Sequence, residues 1–487
     1  MPAASRATCS APLLAALLAA APALAQPAPA PGEETPPAAP ETRQATPGGE
    51  QAATESPKLG LWERANLFGD PGGVRTALAN LGVTFGLNEQ AEALGNPTGG
   101  VRQGAIYEGL LTMSVGVDTQ KAFGLPGGIF NASAYQIQGR GLSRNDLDSN
   151  LSTISSIEAL RGTLLFELWY QQSLLGDRLS IRVGQLAADQ EFMISQYGGL
   201  FLNETFGWSA FPSSNLPSGG PAYPLATPGA RVRFLPRDDL AVLLAVFNGD
   251  PTGPGTGFPQ ARDASGTDFR TSDGALVIGE VQYAINGGDN AHGLPGTYKL
   301  GAWYNTDNFV DQRRDASGRS LANPTGLTAV IGASRRGDWS FYGVADQLVW
   351  REPGTKDQGI GVFARAMGGP GDRNLVNFYL DTGATWKGAI PGRDADTVGL
   401  GFALARISDT AAKLDSDIVF YTGQPYPIRR FEAALELTYQ AQIAPWWQVQ
   451  PDAQYIFNPN GGVPDPLNPR KRVGDAAVFG VRTNITF

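Results

Sequence analysis

At 487 residues, 42% hydrophobic and 17% charged with 62 glycines, the chain has room for two or three ordinary domains or one large barrel. A formal charge of −9, with 37 Lys plus Arg against 46 Asp plus Glu, excludes a basic nucleic-acid binder. A single histidine, His292, and a single cysteine, Cys9, leave most hydrolytic and metal-dependent mechanisms without their usual groups, so no catalytic residue, cofactor or metal site is expected.

Residues 1–25 read as a secretory signal peptide. Arg6 gives the basic start, Ala11 to Ala20 the apolar core, and Ala23-Leu24-Ala25 a small-residue cleavage site. Cleavage removes Cys9, so no disulfide is expected. Residues 26–57 are rich in Pro, Ala, Glu and Thr, lack aromatic residues, and predict a disordered tail. The remainder, 58–487, is taken as one unit, opening with a helical or turn-rich lead-in over 58–80. Beyond the signal, no apolar run reaches the ~18 residues that a spanning helix needs.

From Val83 onward apolar and polar residues alternate in segments separated by Gly-rich turns. Strands are predicted at Val83–Leu94, Ala105–Asp118, Ile129–Gly139, Gly162–Gln172, Leu179–Leu186, Ala230–Leu235, Leu240–Asn248, Ala275–Ile285 and Tyr298–Thr306. They continue at Thr328–Ser334, Trp339–Val349, Gly359–Ala366, Leu375–Thr385 and Thr397–Ile407. The last 57 or so residues show the pattern best. Phe431, Leu435, Leu437 and Tyr439 alternate with Glu432, Glu436, Thr438 and Gln440, and Trp447, Val449, Tyr455 and Phe457 with Gln448, Gln450, Asp452 and Gln454. Phe479, Val481 and Ile485 then alternate with Arg482, Asn484 and Thr486 before a terminal Phe487.

A period of two gives each strand one apolar and one polar face. A soluble β-sandwich and an outer-membrane barrel both alternate this way. Export without a spanning helix, about sixteen to eighteen strands and an amphipathic strand ending in Phe favour the barrel. The expected fold is therefore all-β: a transmembrane antiparallel β-barrel of about 16 strands with short periplasmic turns and longer extracellular loops. Barrels of this size leave an aqueous channel. Trp350, Trp386, Trp446 and Trp447 are expected in the interfacial girdles.

Between Arg178 and Pro251 the order of short motifs resembles the carbohydrate-selective porins, the family of a glucose-inducible outer-membrane porin. The motifs are Val183-Gly184, Phe201-Leu202-Asn203, Phe206-Gly207, Pro221-Ala222-Tyr223-Pro224 and Val246-Phe247-Asn248-Gly249-Asp250-Pro251. The stretch from Leu67 to Asn96 resembles the family's opening. Gln450-Pro451-Asp452, Asn458-Pro459 and the final Val481–Phe487 resemble its closing hairpin. The Pro-rich tail departs from the family pattern, and loop lengths between Gly253 and Thr325 put substrate size in question.

The resemblance implies passive diffusion of monosaccharides such as glucose through a water-filled barrel in the bacterial outer membrane, with sugars as permeants, lipid around the barrel and a homotrimer allowed. A sugar passing a wall needs hydrogen-bonding partners for its hydroxyls and an aromatic face for its C–H face. Strand parity offers Gln90, Glu92, Glu108, Glu167, Trp169 and Arg182 to the lumen, and the loop from Asp189 to Trp208 offers Asp189, Glu191, Asn203 and Trp208. Arg182 is the firmest of these, because a strand arginine facing lipid costs ~2–4 kcal/mol at mid-depth. A general or organic-acid porin is the alternative. An outer-membrane enzyme is disfavoured, because the lone histidine lies in a Gly-rich loop, and an adhesin is a further alternative.

Overall fold

The computed structural model describes residues 60–149, 151–287, 293–324 and 331–487. The expectations for the signal peptide, the tail, Cys9 and His292 lie outside these residues. Sixteen strands close into an antiparallel barrel. They are β1 (Val83–Gly100), β2 (Gly104–Asp118), β3 (Gly128–Gly139), β4 (Gly162–Leu174), β5 (Leu179–Leu186), β6 (Thr227–Arg237), β7 (Leu240–Asn248) and β8 (Ala275–Ile285). There follow β9 (Gly296–Val310), β10 (Ser334–Arg351), β11 (Gly359–Gly368), β12 (Val376–Lys387), β13 (Thr397–Ile407), β14 (Phe431–Ala444) and β15 (Trp447–Phe457). A separate hairpin, β16 (Pro464–Asp465) and β17 (Asn468–Arg472), precedes β18 (Gly474–Thr486). Each barrel strand pairs with its chain neighbour, and the ring closes between β1 and β18, with Glu92 opposite Arg482 and Gln90 opposite Asn484.

The burial of the two faces is inverted relative to a soluble protein. Phe341 (67% exposed), Leu437 and Phe479 point outward, whereas Glu432 and Glu436 (both 0%) point inward. That places the apolar parity in lipid and the polar parity in the lumen, as the sequence alternation predicts. Trp350 and Trp386 stand together on the outside in an edge-to-face pair. Trp446 differs from the girdle expectation. It is buried between Trp62 and Trp447, and its ring N–H donates to the Leu61 carbonyl at 2.8 Å. The segment before β1, including the helix Val74–Asn80, is thus tied to the chain's end. Leu67 donates to the Thr486 carbonyl at 2.8 Å, and Arg75 reaches the Phe487 carbonyl.

Of the predicted strand Thr328–Ser334, residues 328–330 lie outside the described residues and Ile331–Ala333 form no strand. There the backbone pairs with a loop instead: Ala333 N–H donates to the Arg314 carbonyl, and the Ala333 carbonyl accepts from Asp311. Ser334 already belongs to β10.

The long connections all lie at one end of the barrel, opposite the end where residues 60–82 and Phe487 meet. Two of them turn inward. Residues 187–226, between β5 and β6, form a strap through the lumen. Its Phe192, Phe201, Phe206 and Phe211 pack with Phe363, Trp303 and Tyr342 of the wall. Inward glycines make the room. A Cβ on Gly361 would stand 2.1 Å from the Tyr197 ring, and one on Gly401 would stand 2.8 Å from Phe206. Residues 140–149 and 151–161, between β3 and β4, pack on the wall through Leu142, Leu147 and Ile154, and meet the strap where Ser156 N–H donates to the Leu202 carbonyl at 2.7 Å.

Candidate functional site

An irregular segment inside a barrel must find partners for its backbone groups. Inward-facing charged side chains provide them. Glu280 accepts from Met193 N–H at 2.8 Å, and Asp346 from the Ser195 hydroxyl at 2.5 Å and Gln196 N–H at 3.1 Å. Glu436 accepts from Leu202 N–H at 2.6 Å and Asn203 N–H at 3.1 Å. Arg365, bonded to Asp381, donates to the carbonyls of Met193 (2.8 Å), Gly207 (2.7 Å) and Thr205 (2.7 Å). The strap's path is fixed by these clamps.

Where the strap leaves β5, it narrows the lumen against β4, β5 and β6. Glu191 on the strap pairs with Arg182 of β5 at 2.6 Å and also with Arg231 of β6, which donates to it at 2.8 Å. Gln171 of β4 accepts from both guanidiniums, at 3.1 Å from Arg182 and 2.9 Å from Arg231. The Arg182 guanidinium lies 3.9 Å from the centre of the Trp169 ring, whose N–H donates to Glu167 at 3.2 Å. Glu167 also accepts from Ala187 N–H at 3.1 Å. Arg182 and Glu191 keep 17% and 15% of their side chains exposed. Trp169 is buried and holds Arg182 by its face.

Five of the ten candidates therefore meet in one cluster: Glu167, Trp169, Arg182, Glu191 and, through the strap, Asp189, whose carboxylate accepts from Tyr223 N–H at 2.9 Å. The other five lie elsewhere. Glu92 and Glu108 are cross-strand partners on β1 and β2, buried with Arg482, which also donates to Ser156 at 3.0 Å. Gln90 faces the lumen one pair further along, beside Asn484. Asn203 is buried, donating to Gln454 at 3.0 Å. Trp208 donates its N–H to the Gly219 carbonyl at 2.9 Å and lines, with Glu204, Ser218 and Tyr223, a cavity of about 190 Å³. Parity reasoning missed Arg231 and Gln171. Arg231 was legible, since Val232 and Phe234 mark the lipid face of β6 and leave Arg231 to the lumen.

Burial pushes the strap carboxyls up. Asp189 rises to about 6, held back in part by the Tyr223 N–H. Glu204 rises to about 7, with the Glu158 and Asp189 charges adding to the burial and a hydrogen bond from Thr153 opposing it. Glu191 moves the other way, because its two arginines outweigh its burial.

Residues 102–487 match the model of the carbohydrate-selective porin, OprB family. The chain belongs to the carbohydrate-selective porin family. It is 27% identical over 441 residues to Porin B of Pseudomonas aeruginosa, covering 86% of this chain and 91% of that one. It is 23% identical to the putative porin QuiX of Acinetobacter baylyi, over 87% and 94% of the two chains. In fold it is similar to the high-pH structure of Pseudomonas putida OprB, with a TM-score of 0.76 and 24% identity over 88% of this chain and 100% of that one. This carbohydrate-selective porin is thus an outer-membrane channel for sugars, and the strap lies inside its barrel.

Proposed function

We propose that this porin passes monosaccharides such as glucose by trading their hydration for brief hydrogen bonds at the Arg182–Glu191 pair. The observation that carries the reading is that pair's position: 2.6 Å apart, on the strap's lumen edge, and still partly exposed. A guanidinium offers fixed donors and a carboxylate fixed acceptors, so together they match vicinal hydroxyls, which both donate and accept. Glu191 is shared between Arg182 and Arg231, so the group keeps a net positive charge, and an organic acid is the competing solute. Arg231 and Gln171 hold the two groups in place, and Trp169 backs Arg182. Binding stays weak because each group already has partners, as conduction requires.

In this reading the chain reaches the outer membrane through a signal peptide at residues 1–25, has no enzymatic role, and is surrounded by lipid. A homotrimer would pack such barrels side by side, with each chain keeping its own pore.

Swelling of liposomes holding the purified protein tests the proposal, with glucose, a trisaccharide, an amino acid and an organic acid as solutes. Glucose entering faster than an amino acid of similar size is the expected result. Rates that follow size alone, or favour the organic acid, would replace the sugar-selective reading with the general or acid-preferring one.

A further inference from the structure

We propose that the loop-side rim of the barrel, where β13 meets β14, holds a site for the phosphorylated sugar headgroup of an outer-leaflet glycolipid. A cavity of about 320 Å³ opens there, lined by Leu404, Arg406, Asp409, Arg429, Arg430 and Phe431 among others. It lies outside the pore. Arg406 follows Leu400 and Leu404 on the lipid-facing parity of β13 and stands opposite Phe431 of β14, itself 37% exposed. A guanidinium on that parity is tolerable only at headgroup depth, and this one ends its strand beside the long loops, which face the cell exterior in such barrels.

The lining is built rather than incidental. Asp415, fully buried in the helix Asp409–Thr422, grips Arg429, accepting from Nη2 at 2.8 Å and from both Nε and the backbone N–H at 2.9 Å. The Arg430 backbone is fixed at both ends, donating to the Gly461 carbonyl at 3.0 Å and accepting from Ile407 N–H at 2.8 Å. Its side chain is exposed and makes no ion pair among the described residues. Asp409, the one carboxylate of the lining, pairs with Arg406 at 2.7 Å, and both are more than half exposed, so an arriving phosphate competes with a solvated pair. The hairpin β16–β17 adds exposed Arg470, Lys471 and Arg472 nearby, with Arg470 reaching Gln424 just past that helix at 3.3 Å.

These cations sit in a chain whose formal charge is −9, so their grouping is a local feature. Guanidiniums suit phosphate because they present several fixed donors to its oxygens. The apolar floor decides the source of that phosphate. Leu404 and Phe431 continue the lipid-facing surface downward, which suits acyl chains hanging from the bound head and gives nothing to a free anion.

The test uses the full-length protein in detergent, titrated with bisphosphorylated lipid A and with lipid A stripped of both phosphates, the bound fraction being read by native mass spectrometry. One bisphosphorylated lipid should be retained per chain. The R406Q/R430Q double variant should bind it about 30-fold more weakly, at roughly one interfacial charge's worth of attraction per arginine. R406K/R430K should keep most of the binding. R178Q, at the opposite end of the barrel, should match the parent protein. Glucose-driven swelling should be unchanged in all of them, which shows that each variant is folded. Equal retention by R406Q/R430Q, or equal retention of the stripped lipid, overturns the proposal. So does displacement of lipid A by an equal concentration of inorganic phosphate, which would make the cavity a free-anion site.

Discussion

Two arginine–carboxylate pairs inside this barrel look alike in sequence and differ in use. Arg365 and Asp381 are 1% and 0% exposed, and Arg365 spends its remaining donors on three strap carbonyls. Arg182 and Glu191 are 17% and 15% exposed and leave part of their surface to the lumen. The first pair is a clamp, with every donor directed at protein. The second, in the proposed function, is the wall that a solute touches. Burial, rather than residue type, separates the scaffold of the pore from its working surface.

The largest effect should come from breaking the clamp. R365A leaves Asp381 buried without its counter-ion and strips the Met193 and Gly207 carbonyls of their donor, a loss of ~3–5 kcal/mol. We expect a lower heat-modifiability temperature on gels and a strap that no longer holds its path, read as larger and noisier single-channel conductance. A well-folded R365A barrel with unchanged conductance would mean that Glu280, Asp346 and Glu436, with the apolar cluster around Phe201 and Phe206, position the strap without Arg365.

Next in size is the wall. R182A leaves Glu191 bonded to Arg231, so stability should barely move. Its salt conductance should rise, because a bulky group leaves the lumen edge of the strap. The glucose-to-amino-acid ratio of swelling rates should fall by roughly tenfold, the worth of one charge-assisted hydrogen bond of about 1.5 kcal/mol. If both rates rise together, the pair is a steric barrier only and the sugar contacts lie elsewhere.

The comparison also shows what the sequence carries. Which face of a strand meets lipid is a local property, written in the period-two pattern. Arg182, Glu436 and Leu437 were therefore placed correctly from their neighbours alone. The use of an inward residue depends on contacts far along the chain. Asp346 meets Gln196 across 150 positions and Glu436 meets Asn203 across 233, and nothing local at either end marks the pairing. The same limit explains the over-reading at Ile331–Ala333. Alternation alone does not say whether a backbone pairs with the barrel or, as at Ala333, with a loop.

The smallest effect concerns the strap's own carboxyls, which are half-buried. Glu204 and Asp189 titrate near 7 and 6, above their ordinary 4.5 and 3.8. Because the folded values are raised, the folded protein binds protons that the unfolded chain does not. The stability these groups contribute is full below about pH 4 and is lost as pH rises to about 7. Over the upper part of that window the lumen gains up to two negative charges. One unit charge about 8 Å from a water-filled path is worth ~0.5 kcal/mol, roughly a twofold change in relative ion permeability. Reversal potentials in a potassium chloride gradient should therefore move toward cation preference between pH 5 and pH 8. In E204Q the shift should shrink, and in the D189N/E204Q double variant it should shrink further. A full-sized shift in the double variant would assign the titration to the wall rather than the strap. The division of labour drawn from burial would then need the strand carboxylates as a third, pH-dependent class.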